Sequence, residues 1–251
     1  PNMIEEDEGY HREISVQLSK ILKRLLPDGD EFTTLVVGLG NRAVTPDSLG
    51  PRVVDNLCIT RHIIREFGKY VIGDSCQKSV SSIVPGVMAQ TGIESMEIVR
   101  GIAKETNPDV IIAVDALAAR STRRLNRTIQ VTDTGINPGS GVGNHRHALN
   151  SESMGIPVIA IGIPTVVDAA TIVIDTMNNL LDAMKQAEQL RRIGNSYEQL
   201  DMMEKYELVR ELLTPQLNTL FVTPKDVDEA VKRLSFTISE GINIALQKED
   251  A

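Results

Sequence analysis

No tryptophan occurs among the 251 residues, and tyrosine and phenylalanine occur four times each. The core must therefore be built from Val, Ile, Leu, Ala and Met, which suits parallel strands buried on both faces. Aromatic platforms for stacking single-stranded nucleic acid are not expected. Cysteine is scarce too, with only Cys58 and Cys76. Two thiols are too few for a disulfide framework; a single bond between them is open, and two buried or inert thiols are the plainer expectation. No apolar run reaches the roughly 20 residues that span a bilayer, and no basic start followed by an apolar stretch marks a secretion signal. The expectation is a soluble, cytoplasmic protein with no membrane partner. Positive charge is also in deficit, 26 Lys and Arg against 34 Asp and Glu for a net charge of −8. Such a chain lacks the basic field that nucleic acid requires, although an acidic patch could steer basic peptides.

An apolar content of 41% is enough to close a real core, and residues 1–251 are read as a single α/β domain. Residues 1–10 form an acidic lead-in. From His11, apolar residues at Ile14, Leu18, Ile21, Leu22 and Leu25 predict a helix to about Leu26, stopped by the Pro27-Asp28-Gly29 turn. Strands are expected at Thr33 to Val37, Lys69 to Ile72, Val110 to Val114, Thr128 to Thr132 and Pro157 to Ile161, with an extended edge segment at Val80 to Val87. Helices are expected from near Pro51 to Gly68, from Gly92 to Lys104 and from Asp168 to Leu190. Residues 175–222 read as a helical excursion, with weak apolar spacing in the charged segment from Tyr197 to Leu213, and Thr223-Pro224 opens a final helix over 223–246. Strand and helix in alternation predict a three-layer α/β/α fold with a mostly parallel central sheet.

Two stretches hold the chemistry. In LVVGLGNRAVTPDSLGP a strand runs into the glycine turn Gly38, Leu39, Gly40, Asn41 and then to Asp47; in VIIAVDALAAR a second strand ends on Asp115. Gly38 to Ala43 fits the letter of a dinucleotide fingerprint, but Pro46 forbids the immediate helix that such a site needs, so a nucleotide-binding module is the weaker reading. Each acid taken alone reads as a helix cap or a buried, backbone-bonded carboxylate. Taken together, just beyond the carboxyl ends of two parallel strands, they make a carboxylate pair. Two carboxylates in one pocket cannot both ionise cheaply, so one keeps a proton while the other draws one from water, which is acid-base hydrolysis of an amide. The same pair could hold a divalent metal with His145 or His147, but no H-E-x-x-H spacing or Cys-His cluster accompanies it. Ser140 lies in NPGSGVGNHR, offset from a nucleophile elbow. The repeated glycines of that loop suit backbone donors for a carbonyl or anion, with Gly139, Ser140, Gly141, Asn144 and His145 as candidates, and a plain flexible loop is an equal reading.

GLGNRAVTPDSLGP, PGVMAQTGIES, VIIAVDALAARS, INPGSGVGNHRHALN and GIPVIAIGIPTVVDAATIV resemble the germination proteases, which degrade small acid-soluble spore proteins in endospore-forming bacteria. The resemblance runs from about Leu35 to Val173. It implies an unusual aspartic-type endopeptidase with a fold like that of the hydrogenase maturation proteases and no cofactor. It also implies Asp47 and Asp115 as the catalytic pair, a zymogen activated by loss of a propeptide, a homotetramer and a spore-core location. Arg42 departs from the family pattern. The family carries a sizeable N-terminal region ahead of the helix near His11, whereas this chain starts later, which leaves its activation state open.

Overall fold

The computed structural model describes residues 8–29, 31–68, 78–139, 147–185 and 200–247. Helix α1 (Glu8–Lys23) precedes strand β1 (Thr33–Gly38), which is followed by α2 (Leu49–Asp55), α3 (Arg61–Phe67) and β2 (Ser79–Ile83). Next come α4 (Met88–Thr91), α5 (Ser95–Thr106), β3 (Val110–Ala119), β4 (Gln130–Thr132), α6 (Ser151–Met154) and β5 (Val158–Asp168). The chain continues through α7 (Ala169–Lys185), α8 (Met202–Leu212), α9 (Pro215–Asn218), β6 (Phe221–Val222) and α10 (Val227–Leu246).

Strands β2, β1, β3 and β5 lie side by side and all parallel, while β4 and β6 pair antiparallel with β5. Successive side chains of a strand point to opposite faces, and the two faces are easily separated here. Val36, Ile112, Val114, Ile159 and Ile161 pack with residues of α1, α2 and α10; Leu35, Val37, Ile111 and Ala113 pack with Met96 and Val99 of α5. Helices cover both faces, which is the expected three-layer arrangement. From β1 the chain crosses by α2 on one face to β2, then returns by α5 on the other face to β3. Connections therefore diverge at the carboxyl ends of β1 and β3, the switch point where open α/β sheets place ligands.

Several boundaries differ from the sequence expectation. Helix α1 starts earlier, at Glu8, and closes with the amides of Leu25 and Leu26 both donated to the Leu22 carbonyl. The single helix expected from Pro51 to Gly68 is two, because polar groups from distant elements take the backbone between them. Asn243 of α10 accepts from the Cys58 amide (2.9 Å) and donates to the Asn56 carbonyl (3.1 Å). Thr60 meanwhile docks on β2, accepting from the Val80 amide at 2.9 Å. The strand expected at Lys69 to Ile72 lies outside the described residues. Cys58 is an exposed free thiol rather than a buried one, and Cys76 is outside the described residues. The helix expected from Gly92 begins at Ser95, fixed by a Glu94–Glu97 capping box.

Strand β3 does not stop at Val114 but carries Asp115 to Ala119, and β5 does not stop at Gly162 but runs through Pro164 to Asp168. Each lends the other its ladder partners, and the proline is tolerated beside a bulge. Thr223 does not cap the last helix; its hydroxyl donates to the Thr165 carbonyl at 2.8 Å. The excursion is anchored at its described part. Asp201 caps α8, Val209 is 2% exposed against α7, and Tyr206 donates to Asp168 at 2.9 Å. Burial and that carboxylate push the Tyr206 phenol above its ordinary range.

Candidate active site

The turn after β1 folds back on itself so that Asp47 faces the end of the sheet. The Leu39 amide donates to the Val114 carbonyl at 2.8 Å, tying the turn to β3. Gly40 has φ +111°, and a Cβ there would stand 2.0 Å from the Asp47 carbonyl oxygen, so only glycine fits. The Asn41 amide donates to Asp47 Oδ2 at 2.7 Å, and the Asn41 side chain accepts from the Ala43 amide at 3.0 Å. Residues Thr45–Asp47 then form a 3-10 turn with Pro46 inside it. Gly50, in the first turn of α2, lies where an added Cβ would come within 2.3 Å of the Leu39 carbonyl oxygen and 2.5 Å of that of Val114; a Cβ on Gly38 would in turn meet the Gly50 carbonyl.

Arg42 has a structural partner. Its guanidinium grips both carboxylate oxygens of Asp55, and Nη2 also donates to the Pro51 carbonyl at 3.3 Å, lacing the turn to α2. The hydrogen bond from Arg42 holds the Asp55 carboxyl below the usual carboxylate range and raises the guanidinium in return.

Asp115 was expected just beyond a strand end but sits within β3, in register with Gly162 of β5. It is only 5% exposed, and its Oδ1 accepts from the Ala116 amide at 2.9 Å. Asp47 is half-buried. Both acids line one cleft of about 600 Å³, whose walls include Leu39, Thr165, Phe221 and the Asn137 to Gly139 segment. Arg120 and Arg124 line it as well, giving this mouth a positive side in a chain of net charge −8.

Gly38, Gly40 and Asn41 all build the turn that carries Asp47, and the Asn41 amide, which a phosphate would need in a nucleotide site, is taken by the Asp47 carboxylate. Gly139 lines the cleft; Ser140, Gly141, Asn144 and His145 lie outside the described residues. His147 does not join the acids, its Nδ1 lying 2.6 Å from Glu94 Oε2 on an exposed surface. Among the described residues no group of three or more His, Cys, Asp or Glu could hold a metal ion. Sequence reasoning missed Thr165 and the two arginines. Pro164 was the available signal for Thr165, because a proline inside an apolar strand run marks a bulge as readily as an end.

A family model described as germination protease matches residues 2–192 and 182–250. The chain is similar to germination proteases of Caldanaerobacter subterraneus (46% identical over 250 residues, 98% of this chain and 76% of that protein) and Clostridium tetani (47% over 248 residues, 98% and 76%). A germination protease of Priestia megaterium is 42% identical over 278 residues, covering 98% of this chain and 74% of that protein. Among solved structures, a nickel-iron hydrogenase maturation protease from Thermococcus kodakarensis aligns with 58% of this chain and 80% of its own, at 16% identity and a TM-score of 0.35.

Proposed function

Because the chain belongs to the germination protease family, we propose that its peptidase activity uses a water molecule activated between Asp47 and Asp115 and is directed at small acid-soluble spore proteins. The observation that carries this reading is the convergence of the two carboxyls on one cleft at the switch point of the parallel sheet. One carboxylate takes a proton from water as the water oxygen bonds to the peptide carbonyl carbon. The other, protonated, gives its proton to the departing amide nitrogen as the C–N bond breaks. The Asn137 to Gly139 wall is the side from which donors to the developing oxyanion would come. The chemistry needs no cofactor. The half-buried Asp47 leaves water a way in, while Asp115 is largely shielded from solvent.

The same reading makes the enzyme an aspartic-type peptidase of a family made as zymogens, acting in the spore cytoplasm as an oligomer, a tetramer by family resemblance. No described helix is long and apolar enough to cross a membrane. Asp47→Asn and Asp115→Asn should each lower kcat on a small acid-soluble spore protein by about 10²- to 10⁴-fold, the range of a lost acid or base, with circular dichroism unchanged. Wild-type turnover in either variant would sink the two-carboxyl mechanism.

A further inference from the structure

We propose that Thr165 is a positioning residue for Asp47, held in turn by Thr223. The inference rests on the reading of Asp47 as half of the catalytic pair. In the β3–β5 ladder Leu117 stands opposite Pro164 and Ala118 opposite Val166, so Thr165 is the extra residue of a bulge. A bulge frees one residue from strand pairing and re-aims its side chain. Here the re-aimed residue is 1% exposed, borders the cleft, and donates its hydroxyl to the Pro46 carbonyl at 2.7 Å.

That carbonyl belongs to the peptide whose nitrogen is the Asp47 amide, and the amide itself donates to the Val44 carbonyl at 2.9 Å. Both polar atoms of one planar peptide are thereby fixed, and a planar peptide fixed at both ends sets where the Asp47 Cα stands. The Asn41 amide at 2.7 Å from Oδ2 then fixes the carboxylate. Thr165 is itself steadied, because its carbonyl accepts from the Thr223 hydroxyl at 2.8 Å and the preceding Pro164 carbonyl accepts from the Asn126 amide at 2.8 Å. The chain of contacts Thr223, Thr165, Pro46 thus runs from the segment after β6 to the acid-bearing turn. Displacing a catalytic group by about 1 Å can cost on the order of 10²-fold in rate, so the loss of one such bond should register in turnover.

The test uses the mature enzyme and a small acid-soluble spore protein, with kcat and KM measured separately. Thr165→Val keeps the shape and removes the donor, and is expected to lower kcat by about 10- to 100-fold with KM within about twofold. Thr165→Ser retains the hydroxyl and should restore kcat to within about threefold of wild type, while Thr223→Val, one step further out, should give a smaller loss. If Thr165→Val proves too unstable to assay, Thr165→Ser and Thr165→Ala differ by one oxygen, and equal kcat for the two overturns the inference. Asp47→Asn is assayed alongside. If that variant is inactive and Thr165→Val turns over like wild type, the positioning role is wrong and the carboxyl pair stands. If Asp47→Asn is active, the reading beneath fails and the inference goes with it.

Discussion

Arg42 stands beside the acid-bearing turn with roughly half of its side chain in water, paired with an equally exposed Asp55. Exposed pairs contribute about 0–1 kcal/mol, and the two-pronged grip of Arg42 on Asp55 puts this one toward the upper end, so Arg42→Ala should cost up to about 1 kcal/mol. Its pH dependence has a definite sign. The Asp55 carboxyl is held below its ordinary 3.8 by the hydrogen bond from Arg42, so the stability from the pair is present above that value. It is lost as pH falls through the lowered folded-state value. Melting curves of wild type and Arg42→Ala should differ most near neutral pH and converge in strong acid, and added salt should narrow the gap. Asp47 and Asp115 are placed differently, the first half-buried on a turn and the second 5% exposed within a strand. That contrast suits a pair in which the two carboxyls perform different tasks.

The turn from β1 into α2 works as one unit because glycines allow backbone to touch backbone. Gly50→Ala would drive a methyl against the carbonyl oxygens of Leu39 and Val114, and neither strand end can yield without moving the residues beside Asp47 and Asp115. Overpacking of this kind costs about 1–3 kcal/mol, occasionally more, and each kcal/mol lowers Tm by roughly 2–4 °C in a domain of this size. Gly101 in α5 is the contrast, with nothing within 4 Å of an added Cβ. Gly101→Ala should stabilise by about 0.5–1 kcal/mol through helix propensity and leave activity unchanged. Calorimetry on the two variants should therefore give shifts of opposite sign.

Across the whole sheet, α1 and α10 close one face through Leu18, Leu22, Leu234 and Ile238, and Ile238 is fully buried. Ile238→Ala should cost about 2–5 kcal/mol in denaturant unfolding. α10 packs against the Thr45–Asp47 turn, but no residue of α1 or α10 lines the cleft, so kcat at temperatures well below Tm should be close to wild type. A matching fall in kcat would show that the cleft depends on the tightness of this layer as well as on its own turn.

Apolar periodicity and punctuation by proline and glycine were enough to read the layer order, because these are local properties of the chain. Val110 to Val114 is legible as a buried strand from its composition, and the glycine turn before Asp47 from its residues. The final helix was likewise placed to its last residue, Leu246. Partners from elsewhere decided the rest. Asp115 lies inside a strand because β5 continues beside it, and Pro164 is no terminator because a bulge at Thr165 absorbs it. Residues 56–60 leave the helix because Asn243 and β2 claim their backbone groups. Thr223 looks like a cap in the sequence and serves as a brace in the fold, since its closest acceptor, the Thr165 carbonyl, is 58 residues away. Local preference among such alternatives is worth a few tenths of a kcal/mol to about 1 kcal/mol, so a hydrogen bond to a distant partner can reverse it. The amino-acid order supplied the acids and the turn; only packing of the two strand ends brought Asp47 and Asp115 to the same cleft.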